Sequence, residues 1–417
     1  MKKLLIAMSL MLLCSCNADN GQREISQRLK NLKRSSVMPV AFRNVDKPDN
    51  ESYIPMNYEV QKGIWISYID LDAMLRDADE AEFRNGFKNA CRQVKELGFN
   101  TVYVHVRPFG DALYASKLYP RSVMTDGSFD PLKIMVEQAH EAQLSFHAWI
   151  NPLRLQTPED LQKLDNSFLT KQWYSNDNDM VKAVDGSGQL WLDPAYPEVR
   201  QLIAQGAGEI VKNYDVDAIH YDDYFYPTTD EAFDAACYSN SGSSLSLDNW
   251  RLENISMMCS EIYSAVKAEN SNVLVEISPQ GNMDNNYAYM YADVKKWCSE
   301  KGYCDIIIPQ IYFGYENPVK PFVPTLEEWK SIMGDEVKLV IGLGEYKIGQ
   351  EDEFTLNEGI VASQAQEVFE DSSLSGAAVY SYGSLFTPSS ETQARTEAEI
   401  KAISTILHDQ EDNLIKP

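Results

Sequence analysis

Histidine, cysteine and basic residues are all in short supply in this chain. Only 5 of its 417 residues are His and 7 are Cys. No CxxC, HxH or HExxH spacing occurs, so neither a zinc site nor a disulfide scaffold is indicated. Lys and Arg total 37 against 62 Asp and Glu, for a formal net charge of −25. Such a surface repels phosphate backbones and no basic stripe offsets it, which argues against a nucleic-acid partner. No apolar run approaches the ~20 residues that a membrane-spanning helix needs. No GxGxxG follows the first strand-like run, so nothing suggests a dinucleotide cofactor.

What is present begins with the N-terminus, "MKKLLIAMSLMLLCSCNADN". Two lysines before a short apolar run have the form of a signal peptide. Its end, Leu13-Cys14-Ser15-Cys16, resembles a bacterial lipobox. We therefore expect residues 1–15 to be removed and Cys16 to carry acyl groups that hold the chain on a membrane. That places it in the bacterial cell envelope, at the outer membrane or its periplasmic side; a plain signal peptide cleaved nearby is the alternative. Residues 16–60 read as a tether and approach, 61–410 as one folded domain, and 411–417 as a loose tail. Cys298 and Cys304 are near enough in sequence to pair in an oxidising envelope, although solitary buried thiols fit the odd count better.

From Gly63 onward, short apolar runs alternate with amphipathic stretches. Eight runs have strand character: 63–70, 100–108, 145–152, 217–225, 273–279, 304–312, 338–346 and 376–383. Segments such as "AEFRNGFKNACRQVKELG" between them have helical periodicity. Eight alternating units predict an α/β fold, the (β/α)8 TIM barrel, rather than a doubly wound sheet. Helix-to-strand links are short, whereas the strand-to-helix links at 152–196 and 227–249 are long. In a barrel those long links gather at the C-terminal face, where active sites lie.

Strand alternation then selects side chains for the lumen. One parity gathers His105 with Arg107, His147 with Trp149 and Asn151, His220 with Asp222, Glu276 with Ser278, and Gln310 with Tyr312. A purely structural barrel would fill these places with Val, Ile and Leu. Asp222 and Asp223 are sequential, so while a strand persists only one of them enters the lumen. Parity with His220 favours Asp222, and a bulge at the strand end would exchange them. Glu276 on the next strand offers a second carboxylate, and two carboxylates flanking a bond are the apparatus of glycoside hydrolysis. Asp222 or Asp223 with Glu276 is thus the expected catalytic set. Arg107, Asp111, Asn151, Gln310, Tyr312 and Glu345 are expected to bind substrate, and no metal or other cofactor is required. Asp111 can equally be a turn residue, Glu345 a rim charge, and Asp193 in "WLDP" a residue on the approach to a helix. The chain has 23 Tyr, 15 Phe and 7 Trp, and many fall in C-face loops, where sugar rings stack on aromatic faces.

Several stretches carry a family likeness: "GFNTVYVHVRPFGDALYASKLYPRS", "FHAWINPLR", "WLDPAYPEVR", "DAIHYDDYFYP" and "DIIIPQIYF". In order and spacing they resemble the glycosyl-hydrolase-like 10 domain family, formerly domain of unknown function 187. The resemblance implies a (β/α)8 barrel, a bacterial envelope location and cleavage of peptidoglycan glycan strands, notably those stripped of stem peptides. It places a motif aspartate at Asp222 or Asp223, and Arg107 and Asp111 in its "RPxGDALY" stretch. Two other functions compete: a surface glycan-binding lipoprotein without catalysis, and a metal-dependent deacetylase or amidase built on His105, His147 and His220.

Overall fold

A computed structural model describes residues 53–416, apart from 177, 185, 350 and 351. The expected signal peptide, Cys16 and most of the expected tether lie outside the described residues. The described residues hold eleven strands: β1 (Gln61–Ile66), β2 (Thr101–Arg107), β3 (Ser145–Ile150), β4 (Val181–Ala183), β5 (Leu190–Leu192), β6 (Ala218–Tyr221), β7 (Leu274–Ile277), β8 (Ile306–Ile307), β9 (Lys338–Leu339), β10 (Ile341–Gly344) and β11 (Gly376–Tyr380).

Nine of them form one sheet in the order β10-β11-β1-β2-β3-β6-β7-β8-β9, and every pairing in it is parallel. Only Val340 separates β9 from β10, and its N–H donates to Ile307 O at 3.1 Å. The two are halves of one stave, the first bonded to β8 and the second to β11. The ring therefore closes with eight staves, as the eight apolar runs require.

Two apolar regions follow from the alternation. Trp65, Tyr103, Trp149, Ile306, Ile308, Val340 and Ala378 fill the lumen. The opposite parity, including Ile64, Val104, Ile219 and Leu343, packs against the surrounding helices. Helix Glu80–Glu96 shows why these segments are helical. Asp79 and Glu82 close a capping box, and Phe83 and Phe87, one turn apart, are fully buried. Each such phenylalanine contributes roughly 2–3 kcal/mol of burial.

The long links are built elements rather than open loops. Residues 152–196 hold helices Pro158–Gln162 and Leu169–Ser175 and the antiparallel β4–β5 hairpin. The link at 227–249 holds helix Ala235–Ser241.

The two ends of the described chain meet beneath the barrel. Asp217, buried at the start of β6, accepts from Met56 N, Tyr53 Oη and Phe146 N, which draws the approach segment under the staves. The expected loose tail is instead docked. Asp412 pairs with Lys62 at 2.8 Å and Lys95 at 3.3 Å, and Leu414 bridges to Tyr58. Lys62 is almost wholly buried, so its charge requires that partner. Cys91, Cys237, Cys259, Cys298 and Cys304 all carry free thiols, so the Cys298–Cys304 pair does not form.

Candidate active site

The strand β6 stops at Tyr221, one residue before the aspartate pair. Alternation no longer binds Asp222 and Asp223, and both reach the same surroundings at the C-terminal mouth. Asp222 is 5% exposed, and its Oδ1 has no hydrogen-bond partner among the described residues. Burial raises its pKa well above the ordinary carboxylate value and the neighbouring Asp223 charge raises it further, against the Trp149 indole N–H and the Arg154 guanidinium. Asp223 is less enclosed and lies 3.5 Å from Gln310 Nε2. Burial raises its pKa too, opposed by the Gln280 and Gln310 amides and by Arg154.

Other staves complete the mouth. Gln310 also donates to Ser278 O at 3.1 Å, which fixes its amide beside Asp223. Tyr312 feels both aspartate charges, and its ring stands 6.0 Å from that of Tyr380 and 5.8 Å from that of Tyr346. Across from them Arg154 lies over the rings of Phe109 and Tyr224, at 4.8 and 4.5 Å. Trp191 packs against Tyr224 and bridges to Arg154. Not every aromatic of the C-face stretches lines the mouth: Tyr114 and Tyr226 are buried in the core.

Glu276 does not join the mouth. It faces the lumen, as its parity requires, but its carboxylate points to the floor. Oε1 accepts from Gln61 Nε2 at 2.7 Å, and Gln61 is the first residue of β1. Oε2 meets His147 Nδ1 at 2.7 Å and His220 Nδ1 at 3.3 Å. Burial alone would raise its pKa, yet the two histidines outweigh burial and hold it at about 2. With both oxygens engaged at the floor, Glu276 is not brought together with Asp222 and Asp223 at the mouth, as the expected pair required.

Arg107 is misplaced for a plain geometric reason. The register shifts between His105 and Arg107, and this irregularity turns the arginine to the outer side of the wall. It is fully buried there, 4.2 Å from the Tyr119 ring centroid. Gly206 in helix Pro197–Asn213 leaves room for it, since a Cβ there would stand 2.3 Å from Arg107 Nη1.

Glu345 follows the parity of Ile341 and Leu343, which belong to the outer core. Burial pushes it up to about 7, against a hydrogen bond from Ser384 and with the Glu399 charge adding to the rise. Asp111 is a turn residue whose Oδ1 accepts from Phe109 N at 3.0 Å. Asn151 is buried under the rim and joins strand ends, donating to Pro108 O at 3.1 Å.

The lumen histidines are committed to the scaffold. His105 accepts from Tyr68 N at 3.1 Å and stacks on Trp149, and His220 accepts from Trp65 Nε1 at 3.0 Å. Among the described residues no group of three His, Cys, Asp or Glu could hold a metal ion. A separate hollow of about 220 Å³, lined by Ile348, Phe354, Ile360 and Arg395, lies away from these groups.

Sequence reasoning missed Arg154, Gln280 and Tyr380. Arg154 had a signal, as the last residue of the "FHAWINPLR" stretch. Tyr380 had only its place at the end of the eighth apolar run.

The profile of the family described as Glycosyl hydrolase-like 10 matches residues 61–356. The chain belongs to that family. Glycosyl hydrolase YngK of Bacillus subtilis (strain 168) is 32% identical over 317 residues, covering 69% of this chain and 61% of YngK. Glycosyl hydrolase DigH of Escherichia coli (strain K12) is 28% identical over 402 residues, covering 86% of each chain. The PgaB (BpsB) glycoside hydrolase domain from Bordetella bronchiseptica superposes with a TM-score of 0.57 at 12% identity, over 84% of this chain and 99% of that one. The β-amylase catalytic domain from Paenibacillus polymyxa superposes with a TM-score of 0.53 at 13% identity, over 83% and 99%. These two likenesses concern the fold, and both are with glycoside hydrolases. Family membership, with relatives named as glycosyl hydrolases, places the chain among the glycoside hydrolases, as its motifs implied.

Proposed function

We propose that the protein is a glycoside hydrolase of the bacterial envelope whose substrate is the glycan strand of peptidoglycan, stripped strands foremost. One observation carries the chemistry. Two adjacent aspartates open on an aromatic-lined mouth where burial raises both pKa values and the charge of one favours the proton on the other. A carboxyl that holds a proton beside a carboxylate is what a glycosidic leaving group requires. Gln310 and Arg154 would hold sugar hydroxyls beside it, and Tyr312, Tyr380 and Tyr224 offer faces for the rings. The substrate assignment rests on the family motifs, and the membrane anchor on the lipobox-like Leu13-Cys14-Ser15-Cys16.

Incubation of the full chain with denuded and with peptide-bearing glycan strands tests the reading. New reducing ends, released faster from the denuded strands, are expected. Saturable binding without release would instead make it a glycan-binding protein. For the anchor, Cys16→Ser should move the protein from the membrane fraction to the soluble one; unchanged partition would remove the lipid from the account.

A further inference from the structure

The two-carboxylate routes to glycoside cleavage do not fit the acids of this mouth. Both routes place carboxyl groups on opposite sides of the sugar, ~5 Å apart for retention or ~6.5–9.5 Å for inversion. Here the carboxylates that open on the mouth belong to consecutive residues at one strand end, near enough for the Asp223 charge to raise the Asp222 pKa. The remaining acids near this face are bound elsewhere. Glu276 is held at the floor, Glu345 lies behind the wall and Asp111 caps its own turn. Asp193 is fully buried with Oδ1 on Ala195 N; its Oδ2 has no partner among the described residues, but its charged neighbours are Asp234, Lys182 and Arg251, not the aspartate pair. Asp70 accepts from Ser67 N and Ser67 Oγ, both at 2.8 Å, in a helix capping box.

We propose that the substrate supplies the nucleophile. The carbonyl oxygen of a 2-acetamido group on the sugar in the mouth attacks its own C1, Asp222 holds the acetamido N–H, and Asp223 protonates the departing oxygen. This rests on the glycoside hydrolase reading above and adds that the ring in the mouth is a 2-acetamido-2-deoxy sugar.

The pocket's unpaired atoms match an amide. Asp222 Oδ1 is a buried acceptor with no partner among the described residues. Beside it Trp149 Nε1, on a side chain 4% exposed, is turned towards Asp222 and favours its carboxylate, but makes no hydrogen bond of full geometry among the described residues. Leaving such atoms unsatisfied costs about 1–3 kcal/mol each, and a ligand amide that meets them recovers it. The Tyr312 and Tyr380 rings, 6.0 Å apart, give an apolar wall for the acetamido methyl. Asp223 stands nearer solvent, on the side by which the rest of the strand must leave.

In the first step the acetamido oxygen forms a bond to C1 as the C1–O glycosidic bond breaks. The electron pair of that bond goes to the leaving oxygen, which takes the Asp223 proton. An oxazolinium ion results, its N–H held by the Asp222 carboxylate. In the second step water adds to C1, the C1–O bond of the oxazolinium ring breaks, its electrons restore the amide, and the water proton returns to Asp223. Two inversions give retained configuration, and one water is consumed. An attached nucleophile of this kind carries an effective concentration on the order of 10⁵ M or more.

The test compares denuded peptidoglycan glycan strands with the same strands after chemical N-deacetylation, each given to the full chain. We expect reducing-end release to fall by about 10³-fold on deacetylation, to return on re-N-acetylation, and to give the retained anomer first by NMR. The two aspartates separate by leaving group. Asp223→Asn should lose about 10²-fold or more on strands but under about tenfold on an aryl 2-acetamido glycoside, whose phenolate needs no proton. Asp222→Asn should lose activity on both. Equal cleavage of deacetylated strands, an inverted product, or a glycosyl ester trapped on a carboxylate would overturn the proposal and leave the glycosidase standing. Release from neither strand would overturn both.

Discussion

Glu276 and Asp222 are two buried carboxylates in neighbouring staves of one barrel, and they are opposites. Glu276 sits on the floor with Gln61, His147 and His220 around it, and its pKa is about 2. Asp222 sits at the mouth with an oxygen that meets no donor and a second carboxylate beside it, and its pKa is raised. Burial is the largest influence on both, so burial does not decide their roles. Partners do. The acid satisfied by its neighbours at the floor serves the scaffold, whereas the acid held unsatisfied at the mouth is available to a substrate.

The sharpest way to break this comparison is at the mouth. Asp223→Asn should reduce strand cleavage by about 10²–10⁴-fold with an unchanged melting temperature, measured by reducing-end release and calorimetry. A melting temperature that falls with activity would return Asp223 to the scaffold. At the floor the effects should exchange. Glu276→Gln replaces one carboxylate oxygen by an N–H donor, so that either Gln61 or the histidine pair faces a donor in place of an acceptor, and it should cost about 3 kcal/mol of stability, read by urea unfolding, with activity per folded molecule retained.

The pH dependence of stability sharpens the comparison further. The folded pKa of Glu276, about 2, lies below its ordinary 4.5, so its stabilisation is present above pH 4.5 and is lost as pH falls through 2. Glu345 has the reverse sign. Its folded value of about 7 exceeds 4.5, so its stabilisation is complete below pH 4.5 and is lost as pH rises through 7. Glu345→Gln should therefore be more stable than the parent by about 1–2 kcal/mol above pH 7 and nearly equal to it at pH 4. A difference that does not depend on pH would mean that Glu345 is not the buried acid described here. The smallest effect belongs to Arg107. Arg107→Met, behind the wall, should change KM by less than about twofold, and a large rise in KM would put the guanidinium in the substrate's path.

Much of the fold was legible because each of its cues is local. Eight apolar runs, short helix-to-strand links and long returns determine a barrel and its working face. The aspartate pair was legible as well, since two adjacent acids at the end of an apolar run have few structural uses. Three things were hidden. The irregularity after His105 reversed the side on which Arg107 lies, and nothing in "VHVRPFG" marks it. Parity placed Glu276 in the lumen but not at a height, and the height came from Gln61 and His147 on distant staves. The docking of Asp412 onto Lys62 joins positions 350 apart in sequence, which no local pattern reports.

The account's central claim is that the rim pair, and not the floor glutamate, performs the chemistry. It is tested most directly by the initial rate of reducing-end release from denuded glycan strands for Asp222→Asn, Asp223→Asn and Glu276→Gln, each corrected to its folded fraction. Near-complete loss in both aspartate variants with a rate close to the parent's in Glu276→Gln is the predicted result. An inactive, fully folded Glu276→Gln beside active aspartate variants would contradict it.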